Sequence, residues 1–188
     1  MAKLVMERAD TIPALGEVFR RYGFEGASIA RISENTHLGK GSLYHFFPGG
    51  KEEMAKAVLS DIEDWFEQNI FLPLQDNTDY DGHAIDLMFT AVDDYFKSGQ
   101  RICLVGAFAL TETRDRFSTQ VNQYFKKWIA SLATALIRAN VSPAKAQQTA
   151  TTVVAGIQGA LVIAQALDDQ NSFSNMLKQL RQLTQPIK

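Results

Sequence analysis

The sequence predicts an all-α protein, an N-terminal three-helix helix-turn-helix domain followed by a helical body, about nine helices in all. Three observations predict it. Apolar residues recur at helical spacing along nearly the whole chain, the pattern of helices that each bury one face. No stretch alternates convincingly with period two, as a half-buried strand would, and no internal repeat stands out. Residues 28–47 read as two short helices around a tight turn.

The first helix is predicted over 11–22, with Ile12, Leu15, Phe19 and Tyr22 on one face. Pro13 lacks an amide proton and its ring clashes with the carbonyl four residues back, so this helix should start at or after Thr11 or bend near Pro13. Gly23 is a natural residue to end it. Ser28 suits the N-cap of the second helix, because its hydroxyl can accept from the free amides of the first turn. Ile29 and Ile32 share a face there. Thr36, His37 and Leu38 break that helix, and histidine is among the few non-glycine residues that tolerate a positive φ. Gly39 opens the third helix. Its Leu43, Phe46 and Phe47 form an apolar face, while Lys40, Ser42, Tyr44 and His45 point the other way. Pro48 stops it, and Gly49 and Gly50 permit left-handed backbone angles.

A fourth helix is predicted over 50–71, with Met54, Val58, Ile62, Trp65, Phe66 and Ile70 on its stripe, and with Glu52 and Glu53 where the helix dipole favours acids. Leu72-Pro73 should end it. Residues 75–82 form a polar loop. Further helices are predicted over 83–97 (Ile85, Met88, Phe89, Val92, Phe96), over 102–112, and over 116–139 (Val121, Phe125, Trp128, Ile129, Leu132, Leu136). Ser142 should cap and Pro143 should open the next, over 144–167. Residues 168–172 are a loop, and the last helix uses Phe173, Met176, Leu177, Leu180 and Leu183.

At 188 residues the chain can bury a real core. A net charge of −2 argues against a protein that coats nucleic acid. The distribution still matters. Residues 1–51 carry seven Lys/Arg against five Asp/Glu, leaving 12 against 16 for the remainder, a slightly basic head on an acidic body. The single cysteine, Cys103, excludes a disulfide within the chain and a multi-cysteine zinc site. The first eight residues lack the apolar core of a signal peptide. The longest uncharged stretch, 146–167, is rich in Gln and Thr and reads as a buried or interface helix, not a membrane span. A cytoplasmic protein with no membrane partner is expected.

A helix-turn-helix sets its second helix in the DNA major groove, and Lys40, Ser42, Tyr44 and His45 offer donors and acceptors there without a carboxylate. At this point the chain resembles the tetracycline-repressor (TetR) family of bacterial transcriptional regulators. The residues that carry the resemblance are Phe19, Tyr22-Gly23-Phe24, Ser28-Ile29, Ile32, Leu38, Lys40-Gly41-Ser42-Leu43-Tyr44-His45-Phe46-Phe47 and Lys51. The continuation Pro48-Gly49-Gly50-Lys51-Glu52-Glu53 looks like one branch of that family. The close match covers roughly the first third of the chain. Asn35, Thr36 and His37 depart from the family's small residues and turn glycine, and Pro13 and Gly16 from its usual first helix.

The resemblance implies two domains, a DNA-binding one over 1–50 and an effector-binding and dimerisation one over 51–188. It implies a repressor that binds a palindromic operator in double-stranded DNA as a homodimer and is released by a small-molecule effector. DNA contacts are expected at Ser28, Arg31, Lys40, Gly41, Ser42, Tyr44, His45 and Lys51. An effector pocket is expected among Trp65, Phe66, Phe89, Phe96, Cys103, Phe108 and Trp128, with Tyr95 beside them, although aromatics at this spacing also serve as plain core. A dimer seam is expected at Gly156, Gly159, Ala160, Ile163, Ala164, Phe173, Met176, Leu177 and Leu180.

Other chemistry has little support in the residues. Glu34 and His37 have Glu-x-x-His spacing, but a di-metal bundle needs a second such motif. His83, near Asp81 and Asp86, reads as a loop histidine, and Cys103 as a small buried residue. No Ser-His-Asp set or phosphate-binding glycine loop is present. No catalytic residue, metal or cofactor is expected. The alternative class is an all-helical small-molecule-binding protein or enzyme whose helix-turn-helix is structural.

Overall fold

The computed structural model describes residues 7–78, 82–110 and 112–185. The first six residues, the middle of the predicted 75–82 loop with Asp81, and residue 111 of the predicted 102–112 helix therefore lie outside the described residues. In chain order the helices are α1 (Arg8–Gly26), α2 (Ile29–Thr36), α3 (Lys40–Phe46), α4 (Gly50–Phe66), α5 (Leu72–Gln75), α6 (His83–Tyr95), α7 (Leu104–Ala109), α8 (Thr113–Arg116), α9 (Ser118–Arg138), α10 (Pro143–Leu167) and α11 (Gln170–Leu183). A π-helical turn, Glu67–Phe71, lies between α4 and α5. Among the described residues there is no strand.

The helices fall into two compact units. One holds the described residues up to Glu63 together with Leu104–Val121; the other holds Asp64–Cys103 and the described residues from Asn122 onward.

In the first unit, Leu15, Phe19, Ile32, Leu43, Phe47 and Met54 are fully buried. Phe24 stacks on Phe19 with centroids 6.2 Å apart and meets Phe117 edge-on at 5.2 Å. Phe108 stacks on Phe117 at 5.3 Å. Phe108 thus belongs to this cluster and to the first unit, whereas Trp65, Phe66 and Trp128, the aromatics it is grouped with in the expected effector pocket, belong to the second. Phe46, expected on the buried face of α3, is only half-buried.

Helix α1 also differs from expectation. It begins at Arg8, a turn before the predicted start, and Pro13 keeps helical dihedrals; the non-helical residue inside α1 is Gly23, at φ 65° and ψ 177°. The Asp10 carboxylate accepts from the Glu7 N–H at 2.8 Å, and the Thr11 hydroxyl donates to the Arg8 carbonyl at 2.7 Å. These local bonds hold the first turn and help offset what Pro13 costs inside the helix, its missing amide bond and the crowding of its ring on the carbonyl four residues back. The Gly23 angles are open to glycine alone, and the chain turns there toward α2. Gly16 has its own reason. A Cβ at Gly16 would stand 2.9 Å from Arg20 Nη1, so the glycine leaves space for a buried guanidinium that pairs with Glu17 at 3.0 Å.

In the second unit, Phe66 has Tyr124, Tyr95 and Trp128 around it, with ring centroids at 4.8, 5.0 and 5.2 Å. Tyr124, not Phe125, is the buried aromatic of that turn of α9. Leu72-Pro73 does not end the helical run. The Leu72 N–H bonds to the Glu67 carbonyl, five residues back, and α5 continues through Pro73 to Gln75. The wider π turn sets back the carbonyls that a proline ring would otherwise strike. The predicted 116–139 helix is α9, which begins at Ser118; Phe117 (φ −120°, ψ 25°) separates it from the short α8 before it.

Helix α10 starts at Pro143 as expected, but Ser142 makes no side-chain capping bond. Asp168 closes it in the left-handed region, and the Asp169 carboxylate caps α11 by accepting from the Asn171 N–H at 3.0 Å. α10 is long and apolar enough to cross a membrane by length and composition, with mean hydropathy 1.6. One face of it packs on α11, where Val153, Ile157, Ala160, Leu161 and Ala164 are buried.

Candidate nucleic-acid interface

The α2–α3 pair is built by short-range bonds. The Ser28 hydroxyl accepts from the Arg31 N–H at 3.3 Å and caps α2. His37 ends that helix at φ 57° and ψ 20°, in the left-handed region where the turn was expected. The Ser33 hydroxyl donates to the Leu38 carbonyl at 2.6 Å across the turn, and Thr36, buried, donates to the Ile32 carbonyl at 2.7 Å. These bonds supply the constraint a turn glycine would leave to the backbone.

Leu43, with no exposed surface, anchors α3. Lys40, Gly41, Ser42, Tyr44 and His45 are all exposed, and Tyr44 shows 48% of its surface. The structure brings these five onto one short helix, in the order expected. α3 itself carries no carboxylate. Tyr44 lies near Gly50, whose φ of 67° turns the chain into α4.

Two expected phosphate contacts are engaged within the chain. Arg31 donates to the Gly26 carbonyl at 2.7 Å and lies 4.5 Å over the Tyr22 ring. Lys51 is half-buried; its ammonium donates to the Phe24 carbonyl at 2.8 Å and sits 4.3 Å from the centre of the Phe24 ring. Arg116 approaches that ring at 5.2 Å and pairs with Glu52 at 3.3 Å. Lys56, at 2.7 Å, and then Arg116 hold the Glu52 carboxyl below its ordinary range.

One residue at this end of the unit escaped the sequence reading. Arg8 donates from Nε to the Phe46 carbonyl at 3.0 Å and from Nη2 to Glu53 at 3.3 Å, with its guanidinium 4.7 Å over Phe47. It stands in a polar segment before the predicted start of the first helix, and no local pattern marks it.

In the second unit, Phe66, Phe96 and Trp128 are fully buried, Phe89 and Cys103 nearly so, and Trp65 is half-buried. The Trp65 and Tyr95 rings meet at a tilt of 38° with centroids 4.4 Å apart. Burial, then the neighbouring Cys103 thiol and Tyr95 phenol, pushes the Tyr124 phenol well above its ordinary value. Phe89 also lines a surface cavity of about 220 Å³ between α6 and α11, with Asp93, Asp94, Leu177, Lys178 and Arg181. Arg181 is held there by Asp86 at 2.6 Å, which raises the guanidinium pKa further.

The expected dimer seam divides. Ala160, Ala164, Phe173, Leu177 and Leu180 are buried inside the chain, and Gly156 faces Leu180. Buried within one chain, these residues leave the outer surface of α10 and α11 to others. Gly159 has nothing within 4 Å of a built Cβ, and Ile163 and Met176 are exposed. The outward stripe of α10 runs through Ala155, Gly159, Val162, Ile163, Ala166 and Leu167.

Residues 14–58 match the family described as bacterial regulatory proteins of the tetR family, and residues 83–179 match the transcriptional regulator LmrA/YxaF-like C-terminal domain. The HTH-type transcriptional regulator LmrA of Bacillus subtilis is 23% identical, covering 84% of this chain and 85% of its own. The uncharacterized HTH-type regulator YxaF of the same organism is 25% identical over 92% of each. Among solved structures, a TetR transcriptional regulator from Legionella pneumophila superposes with a TM-score of 0.79 at 18% identity, over 96% of this chain and 98% of that one. A TetR-family regulator from Agrobacterium tumefaciens gives 0.78 at 17%, over 93% and 95%. At such identities the structures speak for the fold alone. The matches along both parts of the sequence set aside the enzyme or carrier alternative: the chain belongs to the TetR family of bacterial transcriptional regulators, with a C-terminal domain of the LmrA/YxaF-like kind.

Proposed function

We propose that this regulator is a repressor that binds a palindromic operator as a homodimer and leaves it when a small-molecule effector binds. The observation that carries the reading is the exposed, carboxylate-free face of α3 on a helix anchored by Leu43. Lys40, Ser42, Tyr44 and His45 contact DNA there, with Gly41 allowing close approach and the Ser28 hydroxyl donating to a phosphate. Arg31 and Lys51 act mainly by holding α2 and α4 in place. The Pro48-Gly49-Gly50-Lys51 loop supports reading the chain as one branch of the family.

The dimer forms over the outward stripe of α10, whose Val162, Ile163 and Leu167 are each at least half exposed. Two-fold pairing covers that stripe with its own copy. It sets the two α3 helices about 34 Å apart, one turn of DNA. The effector sits among the aromatics of the second unit, from Trp65 and Phe66 to Phe96, Cys103 and Trp128. It favours a dimer with the wrong separation, and its differential affinity for the two arrangements releases the DNA. The protein acts in the cytoplasm, without a cofactor or an enzymatic step.

Gel shifts on a duplex enriched from a random pool test the reading. Binding should be sequence-specific and fall steeply with salt. Equal binding to the enriched and the starting pools would contradict it.

A further inference from the structure

We propose that Arg8 and Glu53 together are positioning residues that aim the recognition helix, a role that rests on the reading of α3 as the DNA-contacting helix. A helix of seven residues does not hold itself. Its direction is set by Leu43 beneath it and by what grips its ends. The C-terminal grip is Arg8. Its Nε donates at 3.0 Å to the carbonyl of Phe46, the last residue of α3. The final carbonyls of a helix have no partner within it, and a cation there suits the dipole. Its Nη2 donates at 3.3 Å to one Glu53 oxygen, and the other Glu53 oxygen accepts from the Gly49 N–H at 2.7 Å. One guanidinium and one carboxylate therefore tie the start of α1, the end of α3, the following loop and the first turn of α4. Gly49 fits the arrangement, since a Cβ there would stand 3.1 Å from the Glu53 oxygen and 3.2 Å from its Cβ.

The pair is half open to solvent, with side chains 48% and 35% exposed. Such ion pairs add little to stability. What the network fixes is the angle of α3, and hence the register of Lys40, Ser42, Tyr44 and His45 against base edges.

The test compares affinity for the enriched operator and for a random-sequence duplex in the wild type, Arg8→Ala, Arg8→Lys and Glu53→Gln, with unfolding midpoints measured on the same samples. Arg8→Ala should lower operator affinity on the order of tenfold more than random-duplex affinity, the loss of one charge-assisted hydrogen bond beyond the charge effect that both duplexes share. Arg8→Lys keeps the charge but cannot reach both partners, so it should resemble Arg8→Ala. Glu53→Gln gives the sharpest result. Removing a carboxylate near DNA raises affinity by charge alone; loss of positioning lowers it for the operator only.

Equal weakening on both duplexes would make Arg8 a phosphate contact and overturn the proposal. So would a Glu53→Gln protein that keeps the wild type's preference for the operator over the random duplex, full rescue by lysine, or an affinity loss that tracks a loss of fold. A wild type that prefers no sequence would instead overturn the DNA reading of α3, and this proposal with it.

Discussion

Gly156 and Leu180 interlock across α10 and α11: a Cβ on Gly156 would stand 2.7 Å from Leu180 Cδ2 and 2.9 Å from its Cδ1. Leu180 is itself buried, so it has little room to yield. Three positions on, a Cβ on Gly159 would meet nothing within 4 Å. The same substitution in the same helix should therefore have opposite signs. Gly156→Ala gains helix propensity but overpacks, and should lose about 1 kcal/mol net. Gly159→Ala should gain about 0.5–1 kcal/mol when unfolding is followed at protein concentrations that separate the dimer. Urea unfolding of the two variants checks the pair, and equal shifts would show that α10 and α11 do not pack this way.

The dimer seam gives the second prediction. Gly159→Glu places a carboxylate on the outward stripe, where a two-fold axis doubles it. The variant should fold normally, sediment as a monomer and bind its operator weakly. Ala160→Glu puts the carboxylate on a position only 4% exposed. An unpaired buried charge is costly enough to unfold a marginal domain, so this variant should lose its helical signal. Sedimentation velocity and circular dichroism on both separate the outer face from the inner one. A dimeric Gly159→Glu protein would refute the placement.

These two faces also show what the sequence could and could not reveal. The helix-turn-helix was legible because its determinants are local: the Ser28 cap, the left-handed His37, the buried Ile32 and Leu43, and the polar set from Lys40 to His45 all sit within eighteen residues. Helix α10 was legible as a helix but not as an oriented one. Gly156, Ala160 and Ala164 look the same in sequence as Gly159 and Ala166, and only α11 decides which of them face inward. Phe108 was misplaced for a related reason. Its unit is chosen by Phe19, Phe24 and Phe117, which a helical period cannot foresee. At Pro13 a sound rule met a stronger local one, the Asp10 bond that starts α1 early.

The recognition face gives the third prediction. Tyr44→Ala and Lys40→Ala should weaken operator binding several-fold while shifting stability by less than about 0.5 kcal/mol, as exposed positions do. If Lys40 touches phosphate, Lys40→Ala should also reduce the salt slope by about one. Filter binding across a salt series, with thermal unfolding alongside, measures both. A large stability loss with DNA binding intact would move these side chains off the interface.

The fourth prediction concerns alkaline pH. The folded state holds Tyr124 protonated, by burial first and then by the neighbouring Cys103 and Tyr95 acids. The unfolded chain releases that proton near pH 10. Above that value the unfolded state binds fewer protons than the folded one, so stability must fall as pH rises. Below it the group has no effect. Tyr124→Phe should therefore be close to neutral at pH 7 and flatten the decline above pH 10. Urea midpoints at several pH values decide it, and parallel declines for the two proteins would contradict the buried, protonated phenol.

The central claim is that α3 reads DNA from a two-fold dimer, and the sequences retained from a random duplex pool test it most directly. Parallel selections with the wild type and with Tyr44→Ala should differ. The wild type should enrich an inverted repeat whose half-sites are centred about 10 base pairs or a multiple of that apart, and Tyr44→Ala should enrich it poorly or with altered bases. A wild-type pool without two-fold symmetry, or the same repeat enriched equally by both proteins, would contradict the account.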